Sequence, residues 1–265
     1  MVVQKQLWQD YVWKKQTVAQ LAEQHRRSID WVRRRLEVAP LSHSPIMPQP
    51  LVFVADAFFH KRSFGVCVFR SPKLKRNVYW RVIATESPAT YRHMRVELEQ
   101  RGFSFQAIVL DGRRGVKEVF SDIPVQMCQF HQIKIVTRYI TGRPKLEAGR
   151  ELREIALALT QLTEAQFANL LAEWHARWTV FLKEKTYTED TKRWHYTHRR
   201  IRAAYQTLNT NLPYLFTYQK YPELQIPNTT NSLDGKVSHV KDLLRLHRGL
   251  KRTRKLKLIN EILLK

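Results

Sequence analysis

LVFVADAFF, residues 51–59, places an acid, Asp56, at the end of a Val- and Phe-rich run with strand composition. FQAIVLDGRRG, residues 105–115, repeats the arrangement with Asp111, 55 residues further on. Around these two runs the chain reads as strands over 51–58, 63–70, 77–84, 105–110 and 123–128, with helices expected over 88–101, 113–120 and 129–140. Three adjacent strands followed by alternating helix and strand predict an α/β fold, a mixed sheet flanked by helices.

Residues 145–225 interrupt this pattern and read as an all-α insertion. Leu152, Ile155, Leu159 and Leu162 form one apolar stripe, and Leu171, Trp174, Trp178 and Phe181 another, both with packing rather than cofactor character. TTNSLDGKVSHVKDLL, 229–244, then starts a helix expected over about 232–246, with Asp234 one turn inside. The basic amphipathic tail HRGLKRTRKLKLINEILLK follows. Upstream of the first strand, APLSHSPIMPQP (39–50) has four prolines in twelve residues and reads as a linker. Before it, TVAQLAEQHRRSIDWVRRRL predicts a helix-turn-helix-like segment within 1–38. Val18, Leu21 and Ala22 share one face, Ile29, Val32 and Leu36 another, and Ser28 stands as an N-cap. Its second helix would carry Arg33, Arg34 and Arg35 toward DNA. The alternative is an ordinary helical hairpin with a solvated basic face. The expected order is thus 1–38, linker 39–50, first part of the mixed-sheet domain 51–144, insertion 145–225, and returning helix with tail 226–265.

A formal net charge of +23, from 46 Lys and Arg against 23 Asp and Glu, is spread along all 265 residues. That distribution predicts a polyanion partner, nucleic acid before a membrane surface, bound in a salt-sensitive way. No run approaches the length of a membrane span, and the first residues lack the apolar stretch of a signal peptide. Two cysteines, Cys67 and Cys128, cannot build a disulfide framework and suit a reducing compartment, so the chain is read as cytoplasmic.

Acids at neighbouring strand ends can share divalent metals, the means by which nucleases and strand-transfer enzymes activate an oxygen against a phosphodiester. Each acid also has a structural reading: a strand-end turn at Asp56, an Asp-Gly turn at Asp111, a capping-box start at Asn231 and Asp234. Their joint occurrence in a basic chain favours the catalytic one. QMCQFHQIK adds Cys128 and His131, three residues apart; structural zinc needs four ligands, and no second pair stands at a matching spacing. The pair is read as support for the cleft, or as a buried thiol beside a hydrogen-bonded imidazole. Arg193, Arg199 and Arg200 interleave with Trp194, His195 and Tyr196, and would hold DNA backbone or form a solvated face.

Taken together, DAFF around Asp56, LDGRRG around Asp111, the C-x-x-H of QMCQFHQIK and the NTTNSLDG segment resemble the Mutator-type superfamily of DDE transposases, in its bacterial insertion-sequence branch. The resemblance covers most of the chain. It implies a ribonuclease H-like catalytic domain using Mg2+ or Mn2+ in a two-metal site, with Asp56, Asp111 and Asp234 as metal-holding acids. Cys128, His131 and Asn231 would support that cleft. It also implies double-stranded DNA partners, at transposon ends and target, and a homodimer on DNA. At the third acid position the family usually has Glu, so Asp234 falls short by about one methylene of reach. A weakened or inactive relic that binds DNA is the alternative this departure raises.

Overall fold

The structure is a computed structural model; it describes residues 2–264 except 42, 43, 62, 191 and 248, and of Val2, Asp234 and Lys236 only the backbone. Its elements in chain order begin with helices α1 (Val2–Val12), α2 (Val18–Gln24) and α3 (Ile29–Val38). Strands β1 (Pro50–His60), β2 (Phe64–Ser71) and β3 (Arg76–Ile83) follow, then α4 (Pro88–Gln100), β4 (Ser104–Leu110), β5 (Val125–Met127) and α5 (Gln129–Ile140). Next come α6 (Glu147–Ala158), α7 (Glu164–Lys183), β6 (Lys185–Thr188), β7 (Arg193–Tyr196), α8 (Arg199–Leu215) and α9 (Thr217–Lys220). The described chain closes with α10 (Asn231–Leu246) and α11 (Arg252–Leu264).

The fold is α/β, with a mixed five-stranded sheet in the order β3-β2-β1-β4-β5. β1 and β4, and β4 and β5, run parallel, whereas β2 and β3 run antiparallel. β2 is buried along its whole length, which matches its apolar run Phe64–Phe69; buried Arg70 at its end donates to Asn77 Oδ1 and the Lys75 carbonyl. By contact the chain divides into two compact units, and the division cuts across the linear order of segments. One holds residues 1–48, 57–86 and 231–265; the other holds 49–56 and 87–230.

In the first unit the apolar face of α11, with Leu258, Ile259, Ile262 and Leu263, is buried. The ammonium of Lys257 donates to the carbonyls of Leu36 (2.7 Å) and Glu37 (2.6 Å), so a cation satisfies the carboxyl end of α3. The ring of Tyr11 stacks on His247 with centroids 3.9 Å apart. Between α2 and α3 lies a four-residue turn in which Arg26 takes a φ of 50°. Ser28 caps α3 through its hydroxyl, and Val32 and Leu36 are buried as the spacing predicts. Ile29 is the exception in that stripe: at the first helical position it faces solvent.

In the second unit one core cluster runs from Met127 and Val136 through Leu152, Phe167, Leu171 and Trp174 to Leu208 and Phe216. The Trp/Phe stripe is packing: Trp174 donates its indole N–H to the Ala148 carbonyl at 3.0 Å inside this core. Thr163 starts α7 with a full capping box through Gln166. At the end of α8, the carbonyl of Leu215 accepts from the side-chain amides of both Gln126 (2.9 Å) and Gln129 (3.0 Å). The Gln126 oxygen in turn accepts from the Tyr218 N–H at 2.9 Å, and the Thr217 hydroxyl donates to the Val125 carbonyl at 2.7 Å.

Two expectations are corrected here. The insertion is not all-α, because β6 and β7 form an antiparallel hairpin pairing Lys185 with Tyr196 and Thr188 with Arg193. The helix expected over 113–120 shrinks to a 3-10 turn at Lys117–Phe120, since Gly115 adopts a φ of 80° that no helix accommodates.

Candidate active site

Beyond a register shift at Leu51/Val52, β1 and β4 pair Val52 with Ala107, Phe53 with Ile108 and Val54 with Val109, a constant offset of 55 residues. Asp56 and Asp111 are separated by the same 55 residues, so they continue that register two positions beyond the last pair. Alternation along a strand puts Asp56 on the face of Val54. Ligand sites of parallel α/β sheets lie beyond the carboxyl ends of strands, and this is where β4 stops. Asp56 itself is not at the end of a strand, as the sequence suggests: β1 continues four residues past it to His60.

Asp111 opens the loop after β4. One carboxylate oxygen accepts from the Arg113 backbone N–H at 3.0 Å, and Gly112 takes a φ of 87°. The Asp-Gly turn is therefore real, and it fixes the carboxylate rather than competing with a functional role.

The Cys128 N–H donates to the Leu110 carbonyl at 2.7 Å, which extends the β4–β5 pairing and brings the start of α5 beside Asp111. Cys128 is buried at the N-cap of α5, not on the helix proper, and His131 lies in the first turn. Thr230 completes the cluster. Its N–H and hydroxyl lie 3.3 and 3.4 Å from Cys128 Sγ, and the hydroxyl is 3.3 Å from His131 Nδ1. Asn228 secures this approach, with its carbonyl accepting from the Gln129 N–H (2.9 Å) and its amide donating to Gln129 Oε1 (3.0 Å).

The electrostatics follow. Burial pushes the Cys128 thiol up, but hydrogen bonds from His131 and Thr230 outweigh it and leave the thiol below its ordinary value. His131 is raised, first by its hydrogen bond to Cys128, against burial, and then by the charges of Cys128, Asp56 and Asp111. Both acids therefore act on one imidazole, which favours its charged form.

Asp56, Asp111, Cys128 and His131 thus gather within one unit. Asp234 sits in α10, in the other unit, and its carboxylate lies outside the described side chains. Asn231 is an exposed first residue of α10; Thr230, which the sequence reading passed over, is the residue that reaches the Cys128–His131 pair. Among the described residues no group of three or more His, Cys, Asp or Glu is arranged to hold a metal. The two aspartates nevertheless offer hard oxygen donors in shared register, the donor type Mg2+ and Mn2+ prefer.

Of the basic residues, Arg33, Arg34 and Arg35 are exposed on α3. Arg33 pairs with Asp30 at 3.1 Å, and the Arg35 guanidinium lies 5.3 Å from the Trp31 ring centre. Arg193 is exposed on β7 rather than on a helix, and Arg199 and Arg200 are exposed at the start of α8. Trp194 remains 57% exposed, with the Lys185 ammonium 3.9 Å from its ring centre. No helix among the described residues is long and apolar enough to cross a membrane. Among known proteins, no family model and no curated sequence matches this chain.

Proposed function

We propose that this protein is a DDE-type transposase of the bacterial insertion-sequence kind, cleaving and rejoining DNA strands at element ends on a ribonuclease H-like domain. The observation that carries the reading is that Asp56 on β1 and Asp111 in the loop just past the parallel-paired β4 both act on His131. The net charge of +23 supports a DNA substrate.

Asp56 and Asp111 would hold divalent metal, Mg2+ or Mn2+; Asp234 is the third acid that the resemblance implies. Such ions, when bound, activate the attacking oxygen and stabilise the leaving one in a displacement at phosphorus. The Arg113 N–H keeps the Asp111 carboxylate in one orientation, which limits reorganisation during the reaction. His131, held by Cys128 and Thr230, places a positive charge beside the two acids and offsets their mutual repulsion. Arg33, Arg34 and Arg35 on the α2–α3 pair would contact duplex DNA in the manner of a helix-turn-helix, and the exposed Arg193, Arg199 and Arg200 would add backbone contacts. Assembly as a homodimer on paired ends belongs to the same proposal.

The test is strand cleavage of end-sequence DNA by the full chain in Mg2+ or Mn2+, with Asp56→Asn and Asp111→Asn beside it. Cleavage by the native chain alone supports the reading. Equal cleavage by both variants refutes it, and DNA that is bound but left intact points to a binding protein without catalysis.

A further inference from the structure

A cavity of about 590 Å3 opens beside the Asp111 turn, within the unit that carries both aspartates. Its volume falls in the range of about 300–1,000 Å3 that small-molecule sites occupy. Leu110 and Gly112, the residues on either side of Asp111, form part of its wall.

A second wall is a stripe along α8: Gln206, Thr207, Thr210, Asn211 and Tyr214, spaced to share one helix face. The core-facing residues of α8, Ile201, Ala204, Leu208 and Leu215, lie on another face. The polar face of this helix therefore borders a concavity. Its inner part is braced: the Asn211 amide donates to Gln132 Oε1 at 2.9 Å, and the Gln132 amide donates to the Thr207 hydroxyl at 3.2 Å. The remaining side carries Arg113, Arg114, Lys117 and Arg138, with Glu118 as the acid among the lining residues. Tyr139 contributes a second ring, and the Lys117 ammonium lies 4.3 Å from the centre of the Tyr214 ring.

Guanidinium groups suit a phosphate, tyrosine rings a flat base, and neutral amides and hydroxyls the polar edges of base and sugar. We infer that the cavity receives a single nucleotide, its phosphate toward Arg113, Arg114, Lys117 and Arg138 and its base against Tyr139, Tyr214 and the α8 stripe. The inference rests on the transposase reading only for the source of the nucleotide, an unpaired nucleotide of a bound strand or a free mononucleotide. The place beside Asp111 favours the strand.

Two titrations on the full chain decide it. One follows dAMP by calorimetry; the other compares a duplex bearing a one-nucleotide 3′ overhang with the same duplex fully paired, by fluorescence anisotropy. Thr210→Trp fills the cavity from an exposed helix position, and Arg138→Gln removes a cation. Thermal melts by circular dichroism establish that each variant folds; should Thr210→Trp fail to fold, Arg138→Gln alone decides. The expected result is dAMP binding, or an overhang preference of about tenfold, the scale of one base stacking on an aromatic ring. Both variants should weaken it by about fivefold or more. dAMP binding marks the free nucleotide as the ligand, and overhang preference marks the strand. Absence of both in the native chain, or retention of either in folded variants, overturns the inference. Cavity-dependent dAMP binding without any duplex binding would sink the transposase reading and leave this one standing.

Discussion

Thr230 closes on Cys128 across 102 residues of sequence, directing both its N–H and its hydroxyl at Sγ. A neutral thiol is a weak acceptor, so two donors on one sulfur, with His131 alongside, favour the thiolate and the imidazolium together. Replacing Cys128 by Ala should therefore lower the titration midpoint of His131, followed by NMR of labelled histidine. An unchanged midpoint would mean that Asp56 and Asp111 alone hold the imidazole up.

Under the proposed function the carboxylate of Asp111 has two duties, holding the turn and acting in strand cleavage, that one substitution separates. In Asp111→Asn the amide oxygen can still accept from the Arg113 N–H, so the turn and the melting temperature should hold. Strand cleavage should fall by about a hundredfold or more, the effect of removing a group that acts on transition-state charge. Asp111→Leu should lose both turn stability and activity. Equal cleavage by Asp111→Asn and the native chain would leave the turn as this residue's only role.

Strong periodicity made most of this fold readable in advance. The sheet strands and α4, α5 and α10 fall within a few residues of where alternation and helical spacing put them. The β6–β7 hairpin was not readable, because KTYT and RWHY are four residues each and largely exposed, with Tyr187 and Trp194 in solvent. Short strands with no buried face leave no alternation to detect. At the site, Asp111, Cys128 and His131 are legible as residue types at strand and helix boundaries, whereas Asp56 is legible as an acid in an apolar run but not as lying inside its strand. Thr230 is not legible, since its role comes from a contact made only when distant segments meet. Arg113 stands in the LDGRRG motif, where nothing in the residue type announces that its backbone N–H holds the Asp111 carboxylate.

Gly112 should resist substitution. Its φ of 87° disfavours any side chain, and an added Cβ would collide with the thioether end of buried Met127. Gly112→Ala should cost about 1 kcal/mol or more in a denaturant titration, beyond the backbone strain if Met127 cannot move. Recovery in Gly112→Ala/Met127→Ala, relative to Met127→Ala alone, would assign the excess to that collision.

Asp10 in α1 is buried, and burial alone would push its carboxyl up. Hydrogen bonds from Lys14 (2.9 Å) and Gln6 (2.9 Å) outweigh this and hold it below the usual carboxylate value. A depressed folded-state value contributes stability above about pH 3.9 that disappears as pH falls through it. Asp10→Asn should therefore destabilise the protein by about 1 kcal/mol at pH 7, with the difference from native shrinking below pH 4 in denaturation midpoints.

Among the three arginines of α3, Arg33 is engaged by Asp30, and Arg35 lies by the Trp31 ring. Arg34→Ala should weaken duplex binding regardless of sequence, and reduce the slope of log affinity against log salt by about one. An unchanged slope would remove Arg34 from the DNA-contacting set.

The twin amides of Gln126 and Gln129 that meet on the Leu215 carbonyl have a bearing on how this molecule could be dissected. Splicing residue 144 directly to 226 would delete that acceptor and the Tyr218 N–H that Gln126 accepts from, leaving Gln126 only the Met127 carbonyl and Gln129 only Asn228, at roughly 1–3 kcal/mol for each buried group left unsatisfied. The helical block is therefore a buttress of β5 and the start of α5 rather than a detachable passenger, and any shortened form of this protein has to keep it.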